Sequence, residues 1–239
     1  MPLQVLGPHD SRVLSERGLL LRGVLSVAAL PEPLRATLAA QDPAFLDYAQ
    51  LLVFAHAGPR MWRALQTAPA DLRTTEDPID TFSVETVREH LERELGVQRF
   101  TLLYPGHRTI PLQELGALLG WHHPSPLRVG INHTFGTWFA YRVALLADTN
   151  LPLSPLPDDA ASAPCATCVD KPCLSACLGN ALTQGDLSLP HCIDFRTRPE
   201  SPCAHRCPAR EACPIAPEHR YDADQIRYHY GVSLKMLTR

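Results

Sequence analysis

A chain of 239 residues, 45% hydrophobic and 20% charged, is long enough to bury a core without cross-links and makes one large domain or two modest ones. Its formal net charge of −3 gives no electrostatic footprint for a nucleic acid or an acidic lipid surface, so neither is an expected partner. The opening MPLQVLGPHDSRVLSERG is not a secretory signal, and the apolar stretch Leu19–Leu30, broken by Arg22 and Gly23 and closed by Pro31, is too short to cross a bilayer; a cytoplasmic location follows as the default expectation.

Arg17–Ala28 reads as one or two short strands and Pro33–Ala40 as a short helix. AQLLVFAHA, Ala49–Ala57, is an apolar run of strand length closed by the turn signal Gly58-Pro59, and Pro59 opens a helix carrying Met61, Trp62 and Leu65. The clearest helix runs from Ile79 to Leu95: Val84, Val87, Leu91 and Leu95 recur at helical steps, and Gly96 supplies a left-handed stop. Val97–Tyr104 follows as a strand, Pro111–Leu119 as a short helix with Gly120 behind it, and Leu127–Asn132 and Thr137–Asp148 as further strands. The fold class expected for residues 1–150 is α+β or α/β. LPLSPLPDDAASAP, residues 151–164, has four prolines and reads as an extended linker. Residues 165–239 carry the cysteines and end in a helix with Ile226, Tyr230 and Leu234 at helical spacing.

All eight cysteines lie between Cys165 and Cys213. In a reducing compartment a disulfide framework is disfavoured, and a metal or cluster site is the stronger reading. The order is C-x2-C-x4-C-x3-C, then Cys192, then C-x3-C-x5-C-P. An iron–sulfur cube takes three thiolates from a short loop and a fourth from a distant run that proline often follows. Cys165, Cys168 and Cys173 form such a loop, and Cys213, before Pro214, is the natural fourth ligand. Cys177, Cys192, Cys203 and Cys207 remain as a second set, with none left over. Two zinc sites are the alternative, but zinc ribbons usually offer two C-x2-C pairs and only one is present here.

INHTFGTWFAYRVALL, Ile131–Leu146, resembles the cobalamin-processing chaperone family, in which a His-Pro-x-Phe-Gly-Gly-Trp-Phe-Ala-x-Arg stretch lies along the corrinoid. His133, Phe135, Gly136, Trp138, Phe139, Ala140 and Arg142 fall in register, while Thr134 and Thr137 depart from the pattern. DPID (Asp77–Asp80) and LQELGALLGW (Leu112–Trp121) also look like that family. The C-terminal half is similar to the epoxyqueuosine reductase family, corrinoid enzymes with two [4Fe-4S] clusters, through the isolated Cys192 and the final Cys213-Pro214.

These resemblances imply a nitroreductase-like, corrinoid-binding-type domain over 1–150 and a small two-cluster ferredoxin-like domain over 165–239. They imply two [4Fe-4S] clusters and a cobalamin as cofactors, with His133, Phe135, Gly136, Trp138 and Arg142 at the corrinoid. The function implied is an oxidoreductase that takes electrons from a low-potential donor of flavodoxin or ferredoxin type and passes them to a corrinoid or substrate. The rivals are a ferredoxin-type carrier whose N-terminal domain binds no cofactor and a zinc-stabilised interaction module. One departure bears on activity: the reductases carry a catalytic aspartate three residues before a proline, and with Pro111 as that proline the position holds Arg108, flanked by His107 and Thr109.

Overall fold

The computed structural model describes residues 11–155, 157, 163–183 and 186–238. The chain forms two compact units, Met1–Leu119 with Ala140–Leu156, and Gly120–Phe139 with Pro157–Arg239. This division differs from the expected boundary at residue 150: the loop Gly120–Phe139 belongs with the cysteines, because its large side chains find their packing partners there. The front of the expected linker also has structure, since Ser154 gives its N–H to the Val24 carbonyl at 2.9 Å and takes the Val24 N–H on Oγ at 3.0 Å. Residues 156 and 158–162 of that linker, like 1–10, lie outside the described residues.

The first unit is built on a four-stranded sheet of β1 (Leu21–Ser26), β2 (Gln50–Ala57), β3 (Phe100–Tyr104) and β4 (Phe139–Ala147), in the order β1-β2-β4-β3. β1 and β2 pair antiparallel from Leu21↔Ala55 to Ser26↔Gln50, and β3 pairs antiparallel with β4 with an irregularity between Leu102 and Tyr104. β2 is flanked by two strands and buried at every position, which is why Leu51–Ala55 runs continuously apolar rather than alternating. Its longer helices are α1 (Glu32–Gln41), α2 (Arg60–Thr67), α3 (Pro78–Glu89) and α4 (Leu112–Leu118).

Leu52 and Phe54 of β2 and Val143, Leu145 and Ala147 of β4 point the same way at two-residue spacing and meet Val87 and Leu91 from the α3 side. Burial of each such large side chain contributes about 1.5–3 kcal/mol. α3 gives way to a π-helical turn, His90–Glu94, in which buried His90 bonds Glu94 Oε2 through Nδ1 at 2.6 Å. Gly96, at φ +66°, then lets the Val97 N–H reach back six residues to the Leu91 carbonyl at 2.8 Å, a stop one residue wider than the usual 6→1 bond after the π-helical turn, and the following strand begins only at Phe100. Gly116 on α4 faces Tyr141 so closely that a Cβ would stand 1.7 Å from the hydroxyl oxygen.

The second unit is mostly short turns, with α5 (Leu189–Thr197) and α6 (Ala223–Leu237). The strand expected at Leu127–Asn132 is absent: Arg128 adopts a left-handed φ of +55°, its N–H closes a turn onto Ser125 O at 3.0 Å, and isolated bridges His123↔Ile131 and Asn132↔Gly136 remain. The core of this unit is Trp138, Tyr221 and Ile226 with Tyr230 against them. Among the described residues, no helix is long and apolar enough to cross a membrane.

Candidate functional site

Proline-led turns set several of the cysteines. Pro164 opens the turn that carries Cys165 and ends at Cys168, Pro172 opens that of Cys173, and Pro208 opens Pro208–Glu211, which joins Cys207 to Cys213. Proline is tolerated there because a first-turn N–H has no helical acceptor. Cys192 lies on α5.

The thiols that perturb one another fall into two groups. Burial, then Cys213, Cys173 and Cys168, pushes Cys165 up. Burial, then Cys213 and Cys168, does the same to Cys173. Cys213 is raised chiefly by burial, with Cys168 adding and Arg210 and Arg220 opposing. In the other group burial, then Cys207 and Cys177, raises Cys192, with Arg196 opposing. Cys203 is raised by burial and then by Cys207, Cys177 and Cys192. A cavity of ≈ 200 Å³ is lined by all four thiols of this second group, with Leu178, Phe195 and Tyr230 on its walls.

Thiols raised by burial and by their neighbours make a site lacking its counter-charge, and a metal supplies that charge by holding them as thiolates. An all-sulfur set selects zinc, copper(I) or an iron–sulfur cluster. Around one zinc ion, with Zn–S near 2.3 Å, the sulfurs would lie about 3.8 Å apart. Among the described residues no three His, Cys, Asp or Glu side chains converge closely enough for a single ion. A cube spreads its thiolates, since each binds a different iron, and so sets a looser demand on four thiols than a lone ion does. The Ala181 N–H donates to Cys177 Sγ at 3.3 Å, a type of bond that tunes cluster potential.

The residues expected at a corrinoid divide between the units. In the second, His133 is exposed, with its ring edge-on to His123 at 5.7 Å. Phe135 is buried against His219, with ring centroids 4.7 Å apart. Gly136, at φ +56°, has the Ile215 carbonyl oxygen 2.3 Å from where a Cβ would stand. Trp138 is fully buried, its ring 5.2 Å from that of Tyr221, with the Arg210 and Arg220 guanidiniums 4.6 and 5.9 Å from its centroid. The expectation that Phe135 or Trp138 packs on a macrocycle is therefore corrected, because protein already covers those rings. In the first unit Arg142 donates from Nε to His56 Nδ1 at 2.8 Å and lies 3.7 Å from Asp80, whose carboxyl is raised by burial against the pull of Arg142. Arg108 is exposed, donating to the Leu102 carbonyl at 3.2 Å with its guanidinium 5.3 Å from the Phe45 ring.

The sequence reading missed Arg196, Arg210 and Tyr230 around the thiols. Arg196 donates to the carbonyls of Cys203 and Tyr230 at 3.3 and 3.2 Å. Arg210 alone carried a signal, standing three positions from both Cys207 and Cys213.

No protein-family model and no curated protein matches the chain. Solved epoxyqueuosine reductases match its fold. One from Bacillus subtilis, with its catalytic aspartate loop swung out of the active site, aligns with a TM-score of 0.50 at 14% identity over 88% of this chain and 66% of its own. A selenomethionine-labelled reductase gives 0.52 at 14% identity over 90% and 69%. A reductase with an epoxyqueuosine-modified tRNA stem loop gives 0.51 at 14% identity over 89% and 66%. At this identity the likeness establishes the fold, and the chain spans about two thirds of the length of these reductases.

Proposed function

We propose that the protein is an iron–sulfur oxidoreductase with two [4Fe-4S] clusters, one held by Cys165, Cys168, Cys173 and Cys213 and the other by Cys177, Cys192, Cys203 and Cys207. The observations that carry this reading are that the only cysteines perturbing each of the five raised thiols belong to its own set, and that Cys177, Cys192, Cys203 and Cys207 line one cavity. When bound, cubes of this kind pass electrons singly at low potential, which suits a donor of flavodoxin or ferredoxin type. The chain's own part is to wall the thiols with apolar side chains and to aim N–H groups and cations at them.

The likeness to reductases, one of them solved with a modified tRNA stem loop, supports a modified tRNA nucleoside as the substrate class. Arg108 supports a reduction other than that of epoxyqueuosine, because a guanidinium does not give up its proton near neutral pH and cannot serve as the general acid. A corrinoid stays outside the proposal, since Phe135 and Trp138 are covered and Arg142 is held by His56 and Asp80. The same observation favours a second reading, a plain electron carrier whose first unit binds no cofactor.

Spectra of protein purified without oxygen, followed by binding of a tRNA anticodon stem loop, test both. Broad absorbance near about 400 nm that bleaches on reduction is expected. Colourless protein containing zinc overturns the cluster reading. Intact clusters without retention of the stem loop favour the plain carrier.

A further inference from the structure

The turn Pro208–Glu211 links the last cysteine of one set to the last of the other, and its backbone is tied at both ends. The Glu211 N–H donates to the Cys207 carbonyl at 3.0 Å, and the Cys213 N–H donates to the Arg210 carbonyl at 3.2 Å. Arg210 thus stands three residues from a cysteine of each set. Its Nη2 donates to the Thr137 carbonyl at 2.5 Å, and its guanidinium carbon lies 4.6 Å from the Trp138 ring centroid and 5.2 Å from that of Tyr221. Its Nε is sealed from solvent with no hydrogen-bond partner. The half-buried Tyr230 hydroxyl lies within electrostatic reach of both Arg210 and the Cys207 thiol. Arg210, Tyr230 and Cys207 line the same cavity.

The contacts of this guanidinium are ring faces, a carbonyl and a phenol, not a carboxylate. Burying a cation without a counter-ion is costly, so a nearby anion is called for. The thiols are the acidic groups on either side: Arg210 favours the thiolate of Cys213, and Cys207 helps to hold Arg210 charged. A cubic cluster becomes one unit more negative when it accepts an electron, with no bond made or broken. A fixed cation in a low-dielectric setting stabilises that reduced state and raises the potential.

We propose that Arg210 sets the potential of both clusters at once, its single charge between them raising each, with Tyr230 extending its influence to the Cys207 side. This rests on the reading that both thiol sets hold [4Fe-4S] clusters.

The test is an EPR-monitored redox titration of the full chain, purified without oxygen, as wild type and as Arg210→Met, Arg210→Lys and Tyr230→Phe, with iron and sulfide measured in each. Arg210→Met is expected to shift both midpoints down, so that the ratio of reduced to oxidised cluster at a fixed poise falls about tenfold, or ~59 mV for a one-electron couple. Arg210→Lys, which keeps the charge, should restore most of both shifts. Tyr230→Phe should lower only the cluster of Cys177, Cys192, Cys203 and Cys207. Arg210→Met with wild-type iron content and unmoved midpoints overturns the proposal, as does a lysine variant no better than methionine. If the methionine variant does not load its clusters, Tyr230→Phe decides, and unchanged midpoints there overturn it. A wild-type chain without iron would instead sink the cluster reading, which separates the two failures.

Discussion

Arg142 donates from Nε to Nδ1 of His56 at 2.8 Å, and its Nη1 lies 3.7 Å from Oδ1 of Asp80. As the acceptor, Nδ1 carries no proton, so the buried His56 ring is neutral with its proton on Nε2. The arginine that motif resemblance gives to a ligand therefore ties β4 to β2 and to α3. Arg142→Ala should destabilise the first unit by about 2–3 kcal/mol, since it strands two partners that are wholly or partly buried. A urea midpoint read by circular dichroism checks this, and an unchanged midpoint would mean that the network is not structural.

Trp138 is expected to matter to the second unit as core. Trp138→Ala should cost about 3–5 kcal/mol, and because the ring covers Arg210 and Tyr221 the purified variant should retain less iron. Thermal melts and iron analysis of the same sample measure both effects.

Gly116→Ala should destabilise, although alanine is the better helix former. Its Cβ would stand 1.7 Å from the Tyr141 hydroxyl oxygen, and moving that half-buried side chain or α4 should cost about 1–3 kcal/mol. The urea midpoint is again the check, and a stabilised variant would show that α4 gives way freely.

His90 should titrate below its ordinary value of 6.5. Burial lowers it most and Arg22 adds, while the bond to Glu94 opposes. With the folded pKa depressed, the contribution to stability is full above 6.5 and is lost as pH falls through the folded value. An NMR titration of the His90 ring gives the midpoint directly, and a value above 6.5 would mean that Glu94 outweighs burial.

What the sequence revealed follows from how each segment meets solvent. β2 was legible because both its faces are buried, and α3 because one stripe is. The last of the three crossings between the units falls within the proline-rich stretch. The one near Phe139 was invisible: Thr137–Asp148 is a continuous strand-like run, and nothing local says that Trp138 packs with Tyr221 while Val143 packs with Leu52. Leu127–Asn132 misled because its apolar residues mask a left-handed Arg128. Cysteine spacing suggested two sets of thiols, and the only cysteines perturbing each of the five raised thiols belong to its own set. Arg210 escaped notice because a charged residue in a polar loop ordinarily reads as solvated surface.

The most direct test is the iron and acid-labile sulfide content of the full chain purified without oxygen, alongside Cys192→Ser and Cys165→Ser. The expected result is about eight iron and eight sulfide per wild-type chain, four of each per cube. Each serine variant should lose or alter one cluster, with a different cluster affected in each and the other spectrally intact. Wild-type protein containing zinc and no sulfide, or variants with both clusters unchanged, would contradict the account.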